Sequence, residues 1–204
     1  ALSGIRKVES GEIHLFDEKI SDQDNYLNPR DLKEKDLAHI PEDRQRMGLV
    51  TEFKAHENLI FGYHHQEPYS KSSILQEKEI MSFSKKVMEE YDVRPTSHNL
   101  ITSNFSGGNQ QKIILSRELN ENPKVLLIGQ PTRGVDIGAI EFIHQRLIDM
   151  RDKGAAILLV SVELEEVLSL SDRIVVMFDG NIVGEKINKD VTDRDLGLLM
   201  AGVA

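Results

Sequence analysis

A Ser-Gly-Gly turn at residues 106–108 is the stretch of this 204-residue chain whose residue types best suit the binding of an anion. It lies in the run Phe-Ser-Gly-Gly-Asn-Gln-Gln-Lys at residues 105–112 and leads into the apolar segment 113–115. A glycine-rich turn that opens a helix presents free backbone N–H groups and the positive end of the helix dipole, which together hold phosphate oxygens. The same residues also suit a plain helix N-cap, with Ser106 as the capping side chain. The turn alone leaves both interpretations open.

A second candidate stretch, residues 125–136, reads Val-Leu-Leu-Ile-Gly-Gln-Pro-Thr-Arg-Gly-Val-Asp. Its continuous apolar start is typical of a buried parallel strand. Polar residues follow at the carboxyl end of that strand, which is where α/β folds place their ligands. No Gly-x-x-x-x-Gly-Lys-Ser/Thr phosphate loop occurs in the chain, so any phosphate chemistry depends on these two stretches.

The elements that must position these stretches alternate between strands and helices after Pro123, which predicts an α/β fold with a parallel sheet. The predicted elements are a strand at 125–128, a helix at 137–153, a strand at 156–161, a helix at 163–170 and a strand at 173–178. The pair Asp179-Gly180 is a hairpin signal that places residues 181–184 antiparallel to the last strand.

The first part of the chain carries two predicted strands, at 12–16 and 37–40, the second of which is stopped by Pro41. Residues 55–120 are predicted to be mostly helical, because apolar residues recur there at helical spacing. Loops are predicted inside that region at 66–71 and 91–104.

The composition is that of an ordinary globular domain, with 39% hydrophobic and 29% charged residues. A net charge of −9 argues against nucleic-acid binding, which needs a basic surface. The absence of cysteine excludes disulfides and thiolate metal sites and fits a reducing compartment. The seven histidines show no recurring ligand spacing, so no metal site is predicted.

Together the two stretches resemble the ATP-binding cassette family of transporter ATPases. Residues 105–110 match its signature sequence, residues 125–130 its Walker B strand and residues 134–136 its D-loop. Their order and spacing also agree, and the resemblance covers nearly the whole chain. It implies an α/β, P-loop NTPase-like fold: a parallel core sheet with a helical subdomain and a small antiparallel β portion.

Within that family, the chain resembles the second, C-terminal cassette of importers for sugars or nucleosides, whose two cassettes are fused in one polypeptide. The features that carry this are the Asn-Gln-Gln-Lys continuation, Pro-Thr-Arg-Gly-Val-Asp and the Pro-Glu-Asp-Arg run at 41–44. The resemblance implies a Walker A loop just before residue 1, with residues 1–4 ending its helix. It assigns residues 1–54 and 121–204 to the ATPase core and residues 55–120 to the helical signature subdomain.

Three positions depart from the family's catalytic pattern. A working cassette ends its Walker B strand with an Asp that holds Mg²⁺ through water and a Glu that polarises the attacking water. Here those positions hold Gly129 and Gln130, and Val162 stands where the family has its switch histidine. Glycine offers no ligand, glutamine cannot take a proton, and valine cannot hydrogen-bond a phosphate. The chain alone is therefore expected to be inactive as an ATPase.

The other half of the site is kept. Cassettes of this family dimerise head to tail, so that each ATP lies between one Walker A loop and the other cassette's signature. Ser106, Gly107, Gly108 and Gln110 are therefore expected to contact ATP held by a partner cassette, with Asp136 coupling the two sites. ATP and Mg²⁺ are expected only in the assembled pair.

The resemblance also implies partners and a place of action. The expected partners are a second cassette, in the same polypeptide or as a dimer partner, membrane permease subunits and, indirectly, a solute-binding protein. The expected location is the cytoplasmic face of the cell membrane, in peripheral association.

Two other functions remain open at this point. One is a non-transport cassette of DNA repair or translation, although no long coiled coil or basic arm occurs in the sequence. The other is a regulatory scaffold that binds no nucleotide. Glu42 and Arg133 are also open, since each suits either a functional contact or an exposed loop.

Overall fold

The structure is a computed structural model that describes residues 1–202, without the side chain of Asp190. The helices are α1 (Pro29–Glu34), α2 (Ala55–Leu59), α3 (Glu77–Glu90), α4 (Gly107–Asn120), α5 (Ile137–Asp152), α6 (Leu164–Leu170) and α7 (Asp193–Met200). The strands are β1 (Ile13–Leu15), β2 (Glu18–Ser21), β3 (Leu37–Ile40), β4 (Ser70–Lys71), β5 (Ile74–Leu75), β6 (Val125–Gly129), β7 (Ala156–Val160), β8 (Arg173–Phe178) and β9 (Asn181–Ile187). A π-helical turn at Arg44–Gly48 and short 3₁₀ turns at Thr102–Asn104 and Asn188–Asp190 complete the list.

The central sheet has the strand order β3-β6-β7. Strands β3 and β6 run parallel, with Leu37 opposite Val125 and Ile40 opposite Ile128. Because the carboxyl ends of parallel strands meet at one edge, the residues after Ile40 and after Ile128 leave the sheet side by side. The predicted α/β fold with a parallel core sheet is confirmed.

Helix α4 lies at the centre of the first unit, where it packs against β3, α2 and α5. All of its residues from Gln110 to Leu119 are buried, and Ile113, Ile114 and Leu115 are completely inaccessible. A helix buried on every side needs partners for each of its polar side chains. The polar side chains of α4 therefore help to fix its position.

The chain divides into two compact units, residues 1–158 and 159–204. In the second unit, β8 and β9 form an antiparallel hairpin. Asp179 and Gly180 both have positive φ, 45° and 75°, as a two-residue hairpin turn requires. The hairpin is confirmed, and its second strand extends beyond the predicted residue 184 to Ile187.

Four elements of the first unit, β2, α1, β4 and β5, differ from the sequence prediction. Strand β1 was predicted, but its partner β2 was not. Helix α1 was also missed, although Asn28 caps it and Pro29 begins it. The predicted loop at 66–71 is wrong at its end, because Ser70 and Lys71 form β4, which pairs with β5. The mostly helical region 55–120 consists of α2, α3 and α4 with long connections between them.

None of the helices formed by residues 1–202 combines the length and the apolar character needed to cross a bilayer.

Candidate functional site

The Ser106 side chain caps α4 and remains exposed. Its Oγ accepts hydrogen bonds from the Asn109 side-chain Nδ2, at 2.9 Å, and from the Asn109 backbone N–H, at 3.4 Å. The N-cap interpretation of the turn is therefore confirmed. Capping leaves the other N–H groups of the first turn without intrahelical partners, so a role toward phosphate is compatible with it and stays a prediction.

The two glycines of the turn lie directly against the segment 133–136. A Cβ atom on Gly107 would lie 3.0 Å from the carbonyl oxygen of Gly134. A Cβ on Gly108 would lie 2.9 Å from Asp136 Oδ2 and 3.2 Å from the Cβ of Ala139. Only glycine permits so close an approach without displacement, and the structure thus brings together two stretches that the sequence singled out separately.

Asp136 caps α5, because its Oδ1 accepts the N–H of Ala139 at 2.9 Å. The residue is nevertheless exposed and contacts the signature turn through Gly108. Its predicted coupling role across a dimer interface stays a prediction.

Gln110 is only 2% exposed, and its side-chain amide is bonded within the chain. Its Nε2 donates to the carbonyl oxygens of Thr102 and Phe105, at 3.2 Å each, and its Oε1 accepts from Gln45 Nε2 at 3.1 Å. These bonds hold the loop before the signature turn onto α4. The contact of Gln110 with nucleotide stays a prediction.

Gly129 ends β6 close to the backbone of Glu42. A Cβ at position 129 would lie 3.2 Å from the Glu42 N and 3.4 Å from its Cβ, which is tighter than ordinary van der Waals contact. The next residue, Gln130, is 9% exposed and has a left-handed backbone with φ 48°. A carboxylate is therefore missing from this strand end, and the backbone leaves little space for one.

Val162, the third predicted catalytic position, belongs to the second unit, where its side chain is 62% exposed. It follows β7 as predicted. An apolar side chain offers no hydrogen bond at this point.

Residues 42–45, which follow β3, contact the site in a way that the sequence does not predict. Arg44 donates from Nη1 to the carbonyl oxygen of Arg133 at 2.6 Å and from Nη2 to that of Gly134 at 3.2 Å. Arg133 Nη1 in turn donates to Glu42 Oε1 at 2.5 Å. The Pro-Glu-Asp-Arg run was noticed in the sequence, but hydrogen bonds to backbone carbonyls leave no sequence signal.

A buried ionic cluster lies toward the other end of α4. The Glu118 carboxylate, almost wholly inaccessible, contacts the Lys33 ammonium, Arg117 Nε at 2.8 Å and the Tyr63 hydroxyl at 3.2 Å. Burial raises the pKa of Glu118, but the Arg117 and Lys33 charges and hydrogen bonds outweigh it and hold that pKa below its usual 4.5. Burial lowers the pKa of Lys33 despite the opposing Glu118 charge.

A cavity of about 430 Å³ adjoins this cluster, with a lining that includes Ile5, Met47, Phe61, Lys33, Arg117 and Glu118.

Among residues 1–202, no group of three or more His, Cys, Asp or Glu side chains is arranged to hold a metal ion. The donor set at the signature turn consists of a hydroxyl and backbone N–H groups, which suits an anion.

Curated proteins similar to this chain are ATP-binding proteins of importers. The chain is 45% identical to the nucleoside import ATP-binding protein NupA of Lactococcus lactis subsp. cremoris, over 99% of this chain and 39% of that protein. It is 44% identical to the guanosine import ATP-binding protein NupO of Bacillus subtilis, with the same coverage. It is 34% identical to the ribose import ATP-binding protein RbsA of Oceanobacillus iheyensis, over 96% of this chain and 38% of that protein. The chain thus spans about two fifths of the length of these relatives.

Solved structures with the same fold include a nucleotide-free ATP-binding cassette from an ABC transporter. Its TM-score is 0.73 at 22% identity, covering 98% of this chain and 76% of that one. The dimeric post-hydrolysis state of a cassette bound to ADP and Pi gives 0.71 at 22% identity, covering 93% and 78%. The fold is therefore that of an ATP-binding cassette.

The family model described as ABC transporter matches residues 1–133, well over half of the chain. This match agrees with the similarity to the import proteins and with the fold. The chain belongs to the ABC transporter family.

Proposed function

We propose that this chain is part of a nucleotide-binding cassette that couples ATP binding and hydrolysis to the import of a nucleoside or a sugar. The functions for which the relatives are named support this. Identities of 45% and 44% to nucleoside and guanosine import proteins, against 34% to a ribose import protein, favour a nucleoside. The observation that carries the proposal is the Ser106–Gly108 turn at the start of α4, in which the Ser106 side chain is exposed.

The turn fits the triphosphate of a nucleotide held by a partner cassette. Helix α4 is 14 residues long, so its dipole places a partial positive charge at the turn. The exposed Ser106 hydroxyl and the N–H groups of the first turn are donors of the kind that bind phosphate oxygens. The chain would thereby complete an active site whose other half belongs to the partner.

The end of β6 does not fit Mg²⁺ or water activation. Gly129 has no side-chain ligand, and Gln130 can donate and accept hydrogen bonds but cannot act as a base. The two nucleotide sites of the cassette pair would therefore differ in their ability to hydrolyse ATP. One combines the partner's Walker motifs with this signature, and the other, beside Gly129 and Gln130, hydrolyses nothing.

The proposed setting follows from the same argument. The partner is a second cassette, in the same polypeptide or as a dimer partner, and the pair acts with permease subunits and, indirectly, a solute-binding protein at the cytoplasmic face of the membrane. ATP and Mg²⁺ bind in the assembled pair. Residues 55–120 form the helical subdomain, and residues 1–54 and 121–204 belong to the ATPase core.

The test is ATP turnover by the complete importer carrying Ser106→Arg, which places a bulky side chain in the exposed turn. Turnover is expected to fall by about 100-fold or more, as when a phosphate-facing donor is removed. Ser103→Arg is the matched control, since Ser103 is exposed three residues earlier and lies outside the turn. It is expected to retain parental turnover.

A second variant separates capping from phosphate binding. Ser106→Asp keeps a good N-cap but repels phosphate, so the cassette should stay folded and turnover should still be lost. If both Ser106 variants retain parental turnover, the turn is only a helix cap and the shared site is refuted.

The substrate is tested by uptake into proteoliposomes that contain the whole importer. Guanosine uptake above that of ribose would support the nucleoside assignment. Uptake of ribose alone would replace it with the sugar assignment, and uptake of neither, with ATP turnover intact, would contradict both.

A further inference from the structure

We propose that Arg44 is a positioning residue that locks residues 133–134 to the signature turn, so that the two reach a partner's nucleotide as one rigid piece. The inference rests on the proposed function for its effect on turnover. Its structural part concerns this chain alone.

The first observation is the fork that Arg44 makes. Its two terminal nitrogens donate to successive backbone carbonyls, those of Arg133 at 2.6 Å and Gly134 at 3.2 Å. A planar guanidinium holds two acceptors in a fixed geometry, which a single ammonium cannot do. These carbonyls therefore have a defined position relative to the π-helical turn that begins at Arg44.

The second observation is where the guanidinium lies. A Cβ on Gly107 would be 2.6 Å from Arg44 Nη2 and 3.4 Å from its Cζ. The same Cβ would be 3.0 Å from the Gly134 oxygen. The guanidinium thus lies beside both the signature turn and residues 133–134 where the two approach each other.

The neighbouring residues reinforce this contact from both sides. Glu42 Oε1 accepts from Arg133 Nη1, and Gln45 Nε2 donates to Gln110 Oε1 on α4. Asp43 caps the π-helical turn through the N–H of Arg46. The whole 42–45 segment is therefore anchored at residue 133, at residue 134 and on α4.

The proposed half-site must contact the partner's nucleotide in a single geometry. A fixed relative position of the signature turn and residues 133–134 would favour that geometry. Catalysis is sensitive to displacements of about 1 Å in groups that position a substrate. Without Arg44, residues 133–136 and the signature turn retain separate anchors, since Asp136 and Ser106 each cap their own helix. The cassette would stay folded, and the relative placement of the two segments would loosen.

The experiment uses the complete importer with Arg44→Ala, Arg44→Lys and the control Arg46→Ala, an exposed arginine of the same turn. Arg44→Ala is expected to lower kcat for ATP by roughly 10- to 100-fold. KM should change little, because the open partner site binds the nucleotide first. Arg44→Lys keeps the positive charge but cannot make the two-pronged hydrogen bond. Its kcat should therefore lie between those of Arg44→Ala and the parent. Arg46→Ala should match the parent.

Hydrogen exchange supplies a readout that needs no activity. Backbone amides of residues 132–136 should exchange faster in Arg44→Ala, while those of the β6 strand stay protected as in the parent. Unchanged exchange at 132–136 would overturn the lock.

A steric test uses the close contact at Gly107. Gly107→Ala should increase exchange across residues 105–110 when Arg44 is present. It should do so less in the Arg44→Ala background, where the Gly134 carbonyl oxygen, 3.0 Å from that Cβ, is the obstacle that remains. Additive effects of the two substitutions would contradict the proposed packing.

The outcomes separate the two proposals. If Ser106→Asp abolishes turnover but Arg44→Ala changes neither kcat nor exchange, the shared site stands and the lock is wrong. If Ser106→Asp leaves turnover intact while Arg44→Ala accelerates exchange at 132–136, the lock stands as a structural contact and the shared site is wrong.

Discussion

The amino end of α4 and the carboxyl end of β6 both contact the 42–45 segment, yet they differ in what they offer a ligand. The α4 end presents an exposed hydroxyl and a helix dipole, with glycines packed to within contact distance of residues 134–136. The β6 end has Gly129, which lies close against the backbone of Glu42, and Gln130, which is largely buried.

The difference separates two kinds of chemistry. Anion binding at a helix terminus uses backbone groups, so it persists as long as the turn keeps its shape. Metal-assisted hydrolysis needs carboxylate side chains, so it ends when they are replaced. The amino end of α4 can therefore bind an anion even though the carboxyl end of β6 lacks carboxylates, provided that the surrounding residues keep the turn in place.

The largest expected effect tests how firmly α4 is held. Glu118→Ala leaves the Lys33 and Arg117 charges buried without their carboxylate, which should lower the free energy of unfolding by about 3–5 kcal/mol. Chemical denaturation of the chain measures it. Glu121→Ala, at the exposed end of the same helix, is the control and should stay within about 0.5 kcal/mol of the parent. An equally small effect of both would show that the cluster does not anchor α4.

The next largest effect comes from replacing a glycine by alanine at the amino end of α4 and at the carboxyl end of β6. Gly108→Ala forces a Cβ to 2.9 Å from Asp136 Oδ2 and should cost about 1–3 kcal/mol. Gly129→Ala meets Glu42 at 3.2 Å and should cost less than about 1 kcal/mol. Gly197→Ala, in α7 with open space around it, should stabilise by about 0.5–1 kcal/mol. Thermal unfolding of the three variants checks the order, and a reversed order of the first two would invalidate the comparison.

The smallest expected effect is a pH dependence. The folded-state pKa of Glu118 is lowered, so the stability it contributes is present above the unfolded value near 4.5 and is lost as the pH falls through the folded value. The stability difference between the parent and Glu118→Gln should therefore shrink below about pH 4.5, by at most about 1.4 kcal/mol per pH unit. Denaturant titrations between pH 7 and pH 3 measure it. A difference that stays constant would mean that Glu118 titrates alike in both states.

Much of the fold follows from local patterns in the sequence. The apolar run of β6, the alternation that gives α5, β7, α6 and β8, and the Asp179-Gly180 turn all act through short-range preferences. The missed elements depend on weaker signals. The turn of the β1–β2 hairpin is Phe16-Asp17, at φ 50° and 63°. Aspartate tolerates that conformation, but phenylalanine does not favour it, so the pair gives no clear turn signal. Helix α1 has only six residues, too few to show a period.

The candidate site was predictable at the level of motifs and not at the level of contacts. The family pattern identified Ser106, Gly107 and Gly108, and simple chemistry showed what Gly129 and Gln130 lack. The burial of Gln110 and the fork of Arg44 arise from residues more than 60 positions apart in the chain. Such pairings are set by tertiary packing, which no local pattern encodes.

The close contact between the Glu42 backbone and Gly129 limits which single substitutions are tolerated at position 129. A side chain at position 129 requires the Glu42 backbone to give way by a few tenths of an ångström. Glu42 begins the segment that carries Arg44 and Gln45, so the displacement would reach the signature turn. Under the proposed function, aspartate at 129 would therefore supply a carboxylate at the β6 end and at the same time shift the segment that supports the signature turn. The contact therefore couples position 129 to the 42–45 segment, so that a larger side chain at 129 calls for compensating changes in that segment.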